Sequence, residues 1–238
     1  MAAACRVARE DHPGKEASAF VEDSVLLGGA PQYISSLACR LEHFPLPIRF
    51  GAQLTIAQIL SRKDLVTRLR KSGLSYLFVG LETLEPSSIG GMSKDLGSKL
   101  HSWRKRAEEV FEFLSAINVR CGVALLFGLG ESHYARITLL DHLQGWQRSF
   151  GIPAPISANW AVQHPLKGHD GGANYRYLDW GVPDGPFLEP FQEFGEASIK
   201  YPISGQPAPK LEEVLEIAAA LRQLRTVSES RKVLEAAA

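Results

Sequence analysis

Short apolar runs alternate with amphipathic segments along the chain from Ala19 onward. Five runs have the length and density of buried parallel strands: 19–25, 48–54, 76–81, 121–127 and 156–162. Apolar residues recur at spacings of three and four elsewhere, which predicts helices over 31–42, 61–72, 100–117, 132–150 and 210–224. The resulting βαβαβαβαβ order predicts parallel strands joined by helical crossovers.

Such strands form either an open doubly wound sheet or a barrel, and periodicity alone does not distinguish the two. The segment after the first strand contains the pair Gly28-Gly29 but no third glycine at the dinucleotide-binding spacing. This difference disfavours a Rossmann-type nucleotide fold.

Composition and charge narrow the classes of function. The chain has 238 residues, of which 45% are apolar and 22% charged, as in ordinary globular proteins. The 26 basic residues balance the 26 acidic ones, so the basic excess typical of a nucleic-acid binder is missing. No run is long enough for a membrane span, no secretory signal is recognisable, and three scattered cysteines indicate reduced thiols. These features predict a cytoplasmic protein with no membrane or nucleic-acid partner.

Two of the apolar runs stop abruptly at glycine and a carboxylate. The first is YLFVGLE over 76–82, and the second is GVALLFGLGE over 122–131. Because α/β barrels place their ligand-binding groups at the carboxyl ends of parallel strands, Glu82 and Glu131 are candidate site residues.

These two segments resemble the fourth- and fifth-strand motifs of radical S-adenosylmethionine (SAM) enzymes, and the resemblance extends over residues 19–170. It implies an α/β fold of the incomplete parallel (β/α) barrel type, starting from the second strand of a partial (β/α)6 barrel. The implied organisation is a poorly ordered N-terminus over 1–18, a barrel over 19–168, and an irregular extension with a C-terminal helix over 169–238.

The resemblance also implies a SAM site at the barrel mouth. Asp23 would lie near the amino group of SAM, Glu82 would accept hydrogen bonds from the ribose hydroxyls, and Lys94 would face the carboxylate. The 126–131 segment would lie along the adenine and contributes Leu126, Gly128 and Glu131. A small-molecule substrate would lie near Asn159 and His164; catalytic residues are not identified.

Each of these residues also has a structural interpretation. Glu82 could cap the turn that follows it, and Glu131 could stabilise the N-terminus of the helix over 132–150. Lys94 could be a solvated loop charge, and His164 a hydrogen-bonded structural residue.

The cysteine pattern departs from the family. Radical SAM enzymes hold a [4Fe–4S] cluster with a C-x-x-x-C-x-x-C motif, and this sequence contains no such motif. Cys5, Cys39 and Cys121 are expected in separate elements, with Cys39 and Cys121 buried in apolar surroundings, and no other metal-binding motif is recognised.

Only eighteen residues precede Ala19, too few for the first βα unit of such a barrel. The sequence therefore predicts a truncated or degenerate radical SAM enzyme that binds SAM, with a cluster only if a missing N-terminal segment supplies the cysteines. Two alternatives stay open: a non-catalytic nucleotide-binding or partner subunit, and an acid–base lyase or isomerase that uses Glu82 and His164. An open sheet edge would favour a homo-oligomer or a partner chain.

Overall fold

The structure is a computed structural model that describes residues 2–13, 18–21, 26–27, 30–44, 48–84, 103–127, 131–160 and 210–236. Helices and strands alternate along most of this chain. In order they are α1 (Ala2–Asp11), β1 (Ser18–Val21), α2 (Pro31–Glu42), β2 (Arg49–Leu54), α3 (Ile56–Ser61), α4 (Lys63–Lys71), β3 (Leu74–Glu82), α5 (Trp103–Ala116), β4 (Arg120–Phe127), α6 (His133–Phe150), β5 (Ala154–Trp160) and α7 (Leu211–Ala236).

The five strands form one parallel sheet in the order β1-β2-β3-β4-β5. Each strand therefore pairs with its neighbour in sequence, as in a (β/α) barrel. A doubly wound sheet would instead reverse its strand order at a switch point. The strand order decides between the two folds that periodicity left open, and the predicted fold class of an incomplete parallel (β/α) barrel is confirmed.

The chain divides into two compact units, and the first comprises Met1–Gly80 and Arg106–Gly122. In this unit Phe20 of β1 pairs with Gly51 of β2, which pairs with Tyr76 of β3. A Cβ atom on Gly51 would lie 2.9 Å from Cδ2 of Phe20 and 3.0 Å from Cδ1 of Tyr76. A side chain at position 51 would therefore displace one of the two aromatic rings, which approach each other across Gly51 with centroids 6.2 Å apart.

Local signals set the ends of the helices in the first unit. Thr55 and Gln58 form a capping box that starts α3, in which the Thr55 hydroxyl accepts from the Gln58 N–H and the Gln58 side chain accepts from the Thr55 N–H. At the end of α5, Asn118 has φ 54°, and the Val119 N–H donates to the Leu114 carbonyl. This is the Schellman arrangement, which satisfies carbonyls at a helix C-terminus.

The second unit comprises Leu81–Lys105 and Val123–Ala238. Helix α6 starts at Ser132, whose hydroxyl accepts from the Ala135 N–H, and ends before Gly151 in the left-handed conformation. Gln147 is buried in α6, and its Nε2 donates to the carbonyl of Pro153 and to that of Leu224 in α7. Five side chains of α7 form part of the core: Val214, Ile217, Ala218, Leu221 and Leu224.

Several elements differ from the sequence-based prediction. The chain starts with helix α1, which was not predicted, and α3 precedes the helix expected to begin near Ser61. Helix α7 extends to Ala236 rather than Leu224, and Leu215, expected to face inward, is 42% exposed. Among the described residues, no helix combines the length and hydropathy that crossing a membrane requires. The predicted irregular extension lies outside the described residues, and the proposed domain boundaries stay a prediction.

Candidate functional site

The carboxyl ends of three neighbouring strands define the candidate site. Strand β3 ends at Glu82, β4 at Phe127 and β5 at Trp160. Since the strands are parallel and adjacent, these ends lie along the same edge of the sheet, here called the carboxyl edge. In α/β barrels this edge holds the ligand-binding groups.

Glu82 has an unusual backbone conformation at this edge. Its φ is 61°, in the left-handed region that residues with a Cβ atom rarely adopt. The N–H of Thr83 donates to the carbonyl of Leu81 at 2.8 Å, which closes a three-residue γ-turn centred on Glu82. Strained residues of this kind persist only where surrounding contacts hold them, and they concentrate at binding and active sites.

Trp103 holds this turn in place. The indole Nε1 of Trp103, the first residue of α5, donates to the carbonyl of Thr83 at 2.9 Å, and both side chains are buried. The donor comes from a residue twenty positions away in sequence. A tertiary contact therefore fixes the turn. The backbone conformation of the half-buried Glu82 is constrained by it.

Leu126 and Asn159 are each the penultimate residue of a strand that reaches the carboxyl edge, and both are half-buried. The buried Leu125 and Phe127 flank Leu126, so Leu126 points to the opposite side of the sheet. Asn159 Nδ2 donates to the hydroxyl of Ser157 at 3.1 Å, which joins two polar side chains of β5. Together with Glu82, the edge offers a carboxylate, an apolar side chain and an amide.

Glu131 is in a buried ion pair. Nε of Arg136 lies 2.7 Å from its Oε1, and Nη2 of Arg136 donates to its backbone carbonyl at 2.9 Å. Nη1 of Arg136 lies 3.8 Å from Glu213 in α7, so the guanidinium connects the start of α6 to α7. Burying a carboxylate without hydrogen-bond or charge partners is energetically costly. This structural role accounts for Glu131, and its predicted contact with a cofactor stays a prediction.

Four of the predicted site residues lie outside the described part of the chain: Asp23, Lys94, Gly128 and His164. Their roles stay predictions. Sequence reasoning, in turn, missed Thr83 and Trp103, which shape the turn at Glu82. No motif marks them, because their contribution comes from a hydrogen bond between the Trp103 side chain and the backbone of a distant residue.

The two cysteines whose side chains are described do not fit an iron–sulfur cluster. Cys121 is buried in β4, and burial raises the pKa of its thiol, which disfavours the thiolate that binds iron. Cys39 is exposed near the end of α2, so the expectation that it is buried was wrong. The apolar face of α2 is formed by Ile34 and Ala38, and Cys39 lies one position beyond it. Cys5 belongs to a third element, α1, and the two thiols that the structure describes, those of Cys39 and Cys121, lie in different elements.

Comparison with known proteins gives a match at the level of fold. No protein-family model matches the sequence, and no curated protein matches it at a significant level. The chain is similar to the solved structure of a radical S-adenosylmethionine methyltransferase, TsrM from Kitasatospora setae, with tryptophan substrate and a SAM analogue, aza-SAM, bound. The TM-score is 0.54 at 15% sequence identity.

A second TsrM structure, with cobalamin and a [4Fe–4S] cluster bound, gives a TM-score of 0.52 at 13% identity. In both comparisons the match covers 87% of this chain and 42% of the TsrM chain, so this chain spans less than half of the TsrM length. At this level of sequence identity, the similarity establishes a common fold but not a common activity.

Proposed function

We propose that this chain is a radical SAM-type protein that binds S-adenosylmethionine along the carboxyl edge of its sheet. The observation that carries the proposal is the γ-turn at Glu82. A carboxylate on a strained backbone, held by Trp103 through Thr83, lies at the end of β3 in a fold similar to that of a SAM-dependent methyltransferase. Sites of this kind in parallel α/β folds bind ligands at the strand ends.

The described residues offer chemistry that suits an adenosine moiety. The carboxylate of Glu82 is an acceptor for the vicinal hydroxyls of a ribose, and charge-assisted hydrogen bonds of this kind are stronger than neutral ones. Leu126 supplies apolar surface for a flat base. Asp23, Lys94 and Gly128 complete the proposed SAM site, and Asn159 and His164 are proposed to face a small-molecule substrate.

The cysteines favour a second candidate, a SAM-binding protein that does not cleave SAM by itself. Radical chemistry requires a [4Fe–4S] cluster held by thiolates that meet at one point. Because Cys121 is buried and Cys39 is exposed in a different element, we assign no radical step to the residues of this chain. A role as a nucleotide-binding or partner subunit follows from the same SAM site.

Equilibrium dialysis of the full chain against radiolabelled SAM tests the proposal. Glu82→Gln keeps the size of the side chain but removes its charge, and we expect it to weaken SAM binding at least about tenfold, since a hydrogen bond to a charged group contributes about 1.5–3 kcal/mol. Glu108→Gln makes the same change at an exposed position of α5 and should bind as the wild type does. Equal affinity of the Glu82 and Glu108 variants would contradict the assignment of the site.

A further inference from the structure

Three side chains with metal-binding atoms meet at the end of helix α2. Cys39, Glu42 and His43, here called the α2-end cluster, place a thiol, a carboxylate and an imidazole within 4.8 Å of one another. Their spacing of three and four residues brings them to one face of the helix. The cluster uses none of the residues assigned to the carboxyl edge.

The distance between two of these atoms is close to that of a zinc site. Sγ of Cys39 lies 3.7 Å from Nδ1 of His43. In a tetrahedral zinc site, Zn–S bonds of about 2.3 Å and Zn–N bonds of about 2.0–2.1 Å separate the two ligand atoms by about 3.6 Å. The separation of this sulfur and this nitrogen therefore matches that of two ligands of one zinc ion.

A neighbouring helix orients the third ligand. The hydroxyl of Ser72, at the end of α4, donates to Oε1 of Glu42 at 3.2 Å, and Ser72 is itself buried. Hydrogen bonds from a second layer of residues position the ligands of metal sites in this way. The location at a helix C-terminus adds negative partial charge, which favours a cation.

We propose that the α2-end cluster is a zinc-binding site in which Cys39 Sγ, a carboxylate oxygen of Glu42 and His43 Nδ1 supply three of the four ligands. Thiolate and imidazole ligands together select zinc over the hard cations magnesium and calcium. Three protein ligands leave the fourth position to water or to a ligand from solution.

Metal binding requires His43 to change its hydrogen bonding. Without metal, Nδ1 of His43 lies 2.8 Å from the Cys39 carbonyl and donates to it when this nitrogen carries the proton. Coordination requires the proton on Nε2 and a rotation of the imidazole, because the single in-plane lone pair of Nδ1 would otherwise point at the Cys39 carbonyl. The Cys39 carbonyl keeps a partner, because it also accepts from the backbone N–H of His43 at 3.2 Å. When zinc binds, the thiol proton of Cys39 leaves to solvent and the thiolate takes its place as a ligand.

Titration of the full chain with Co²⁺, used as a spectroscopic substitute for zinc, tests the site. The phosphine reductant TCEP keeps Cys39 reduced. We expect saturable binding with a thiolate-to-cobalt charge-transfer band, and displacement of cobalt by Zn²⁺. Cys39→Ser should abolish the band, and His43→Gln should weaken zinc binding at least about tenfold, because even second-layer changes cost about 10–100-fold in affinity.

Two variants control for nonspecific binding. Cys121→Ala removes the buried thiol of β4, and His12→Gln removes an exposed imidazole. Both should bind cobalt and zinc as the wild type does. The proposal is overturned if the wild type shows no charge-transfer band, if the band survives in Cys39→Ser, or if the control variants lose it.

Discussion

At the scale of single residues, the backbone conformation of Glu82 is the main evidence that the carboxyl edge is a binding site. A residue with a Cβ atom at φ 61° costs free energy, and a glycine would remove this cost. A carboxylate at such a position is therefore maintained against a structural preference, as is typical of binding sites. The sequence identified Glu82 from its position after an apolar run. It could not predict the γ-turn, because the Trp103–Thr83 hydrogen bond arises only in the folded chain.

The backbone strain at Glu82 predicts an inverted order of stability between two substitutions. Glu82→Gly should be more stable than Glu82→Ala by about 1 kcal/mol, since only alanine keeps the steric cost of positive φ. Both variants lose the carboxylate, so the difference between them isolates the backbone. Urea denaturation of the two variants measures it.

Gln53, which is exposed in β2, provides the matched control. At this ordinary strand position the order should be normal, with Gln53→Gly less stable than Gln53→Ala by about 0.5–1 kcal/mol. If glycine were also the less stable residue at position 82, the γ-turn would be absent in solution.

Tyr76 is a second residue whose environment can be tested, through the pH dependence of stability. Burial raises the pKa of its phenol from 10.0 to about 12, so the folded chain holds this proton more tightly than the unfolded chain. The resulting stabilisation is fully present below about pH 10 and is lost as pH rises from about 10 to about 12. Tyr76→Phe removes the ionisable group and should lose less stability than the wild type over that interval.

Denaturation midpoints of the wild type and of Tyr76→Phe, measured below and above this pH interval, give the loss of stability in each protein. Tyr33→Phe, at an exposed position of α2, should keep the pH profile of the wild type. A Tyr76→Phe profile as steep as that of the wild type would show that the phenol is not buried as described.

At the scale of elements, local sequence patterns were sufficient to predict most helices and strands. Pro31 at the first turn and the spacing of Ile34 and Ala38 predicted α2 with its observed bounds. Helix α3 was missed because it has only six residues, too few for a periodic pattern, although Thr55 and Gln58 carry its capping signal. Leu215 follows the apolar spacing of α7 and yet is exposed, since tertiary packing rather than periodicity selects the buried face.

The ion pair between Glu131 and Arg136 connects α6 to the segment before it. Breaking this pair should lower the free energy of unfolding by a large amount. Arg136→Met removes the guanidinium that pairs with the buried Glu131 carboxylate, and we expect a cost of about 3–5 kcal/mol. Lys63→Met breaks an ion pair with Glu109 whose side chains are 36% and 54% exposed, and should cost no more than about 1 kcal/mol. Thermal and urea unfolding measure the stability of the Arg136→Met and Lys63→Met variants. A similar loss of stability in both variants would contradict the burial of the Glu131–Arg136 pair.

At the scale of the whole molecule, the parallel sheet places the strand ends on a common edge, and the sequence could predict this from the alternation of strands and helices. The strand order β1 to β5 was not predictable from periodicity, because long-range pairing decides it. In the described sheet β1 is an edge strand with mostly exposed residues. We propose that a second copy or a partner chain covers this edge, since open edges favour pairing.

We propose that this chain holds SAM at the carboxyl edge and does not cleave it with its own cysteines. The most direct test is anaerobic iron and sulfide reconstitution of the full chain, followed by SAM and dithionite and by chromatography of the protein-bound nucleosides. We expect intact SAM in the protein fraction and no formation of 5′-deoxyadenosine. Recovery of 5′-deoxyadenosine in amounts comparable to the protein, or a protein fraction without SAM, would contradict it.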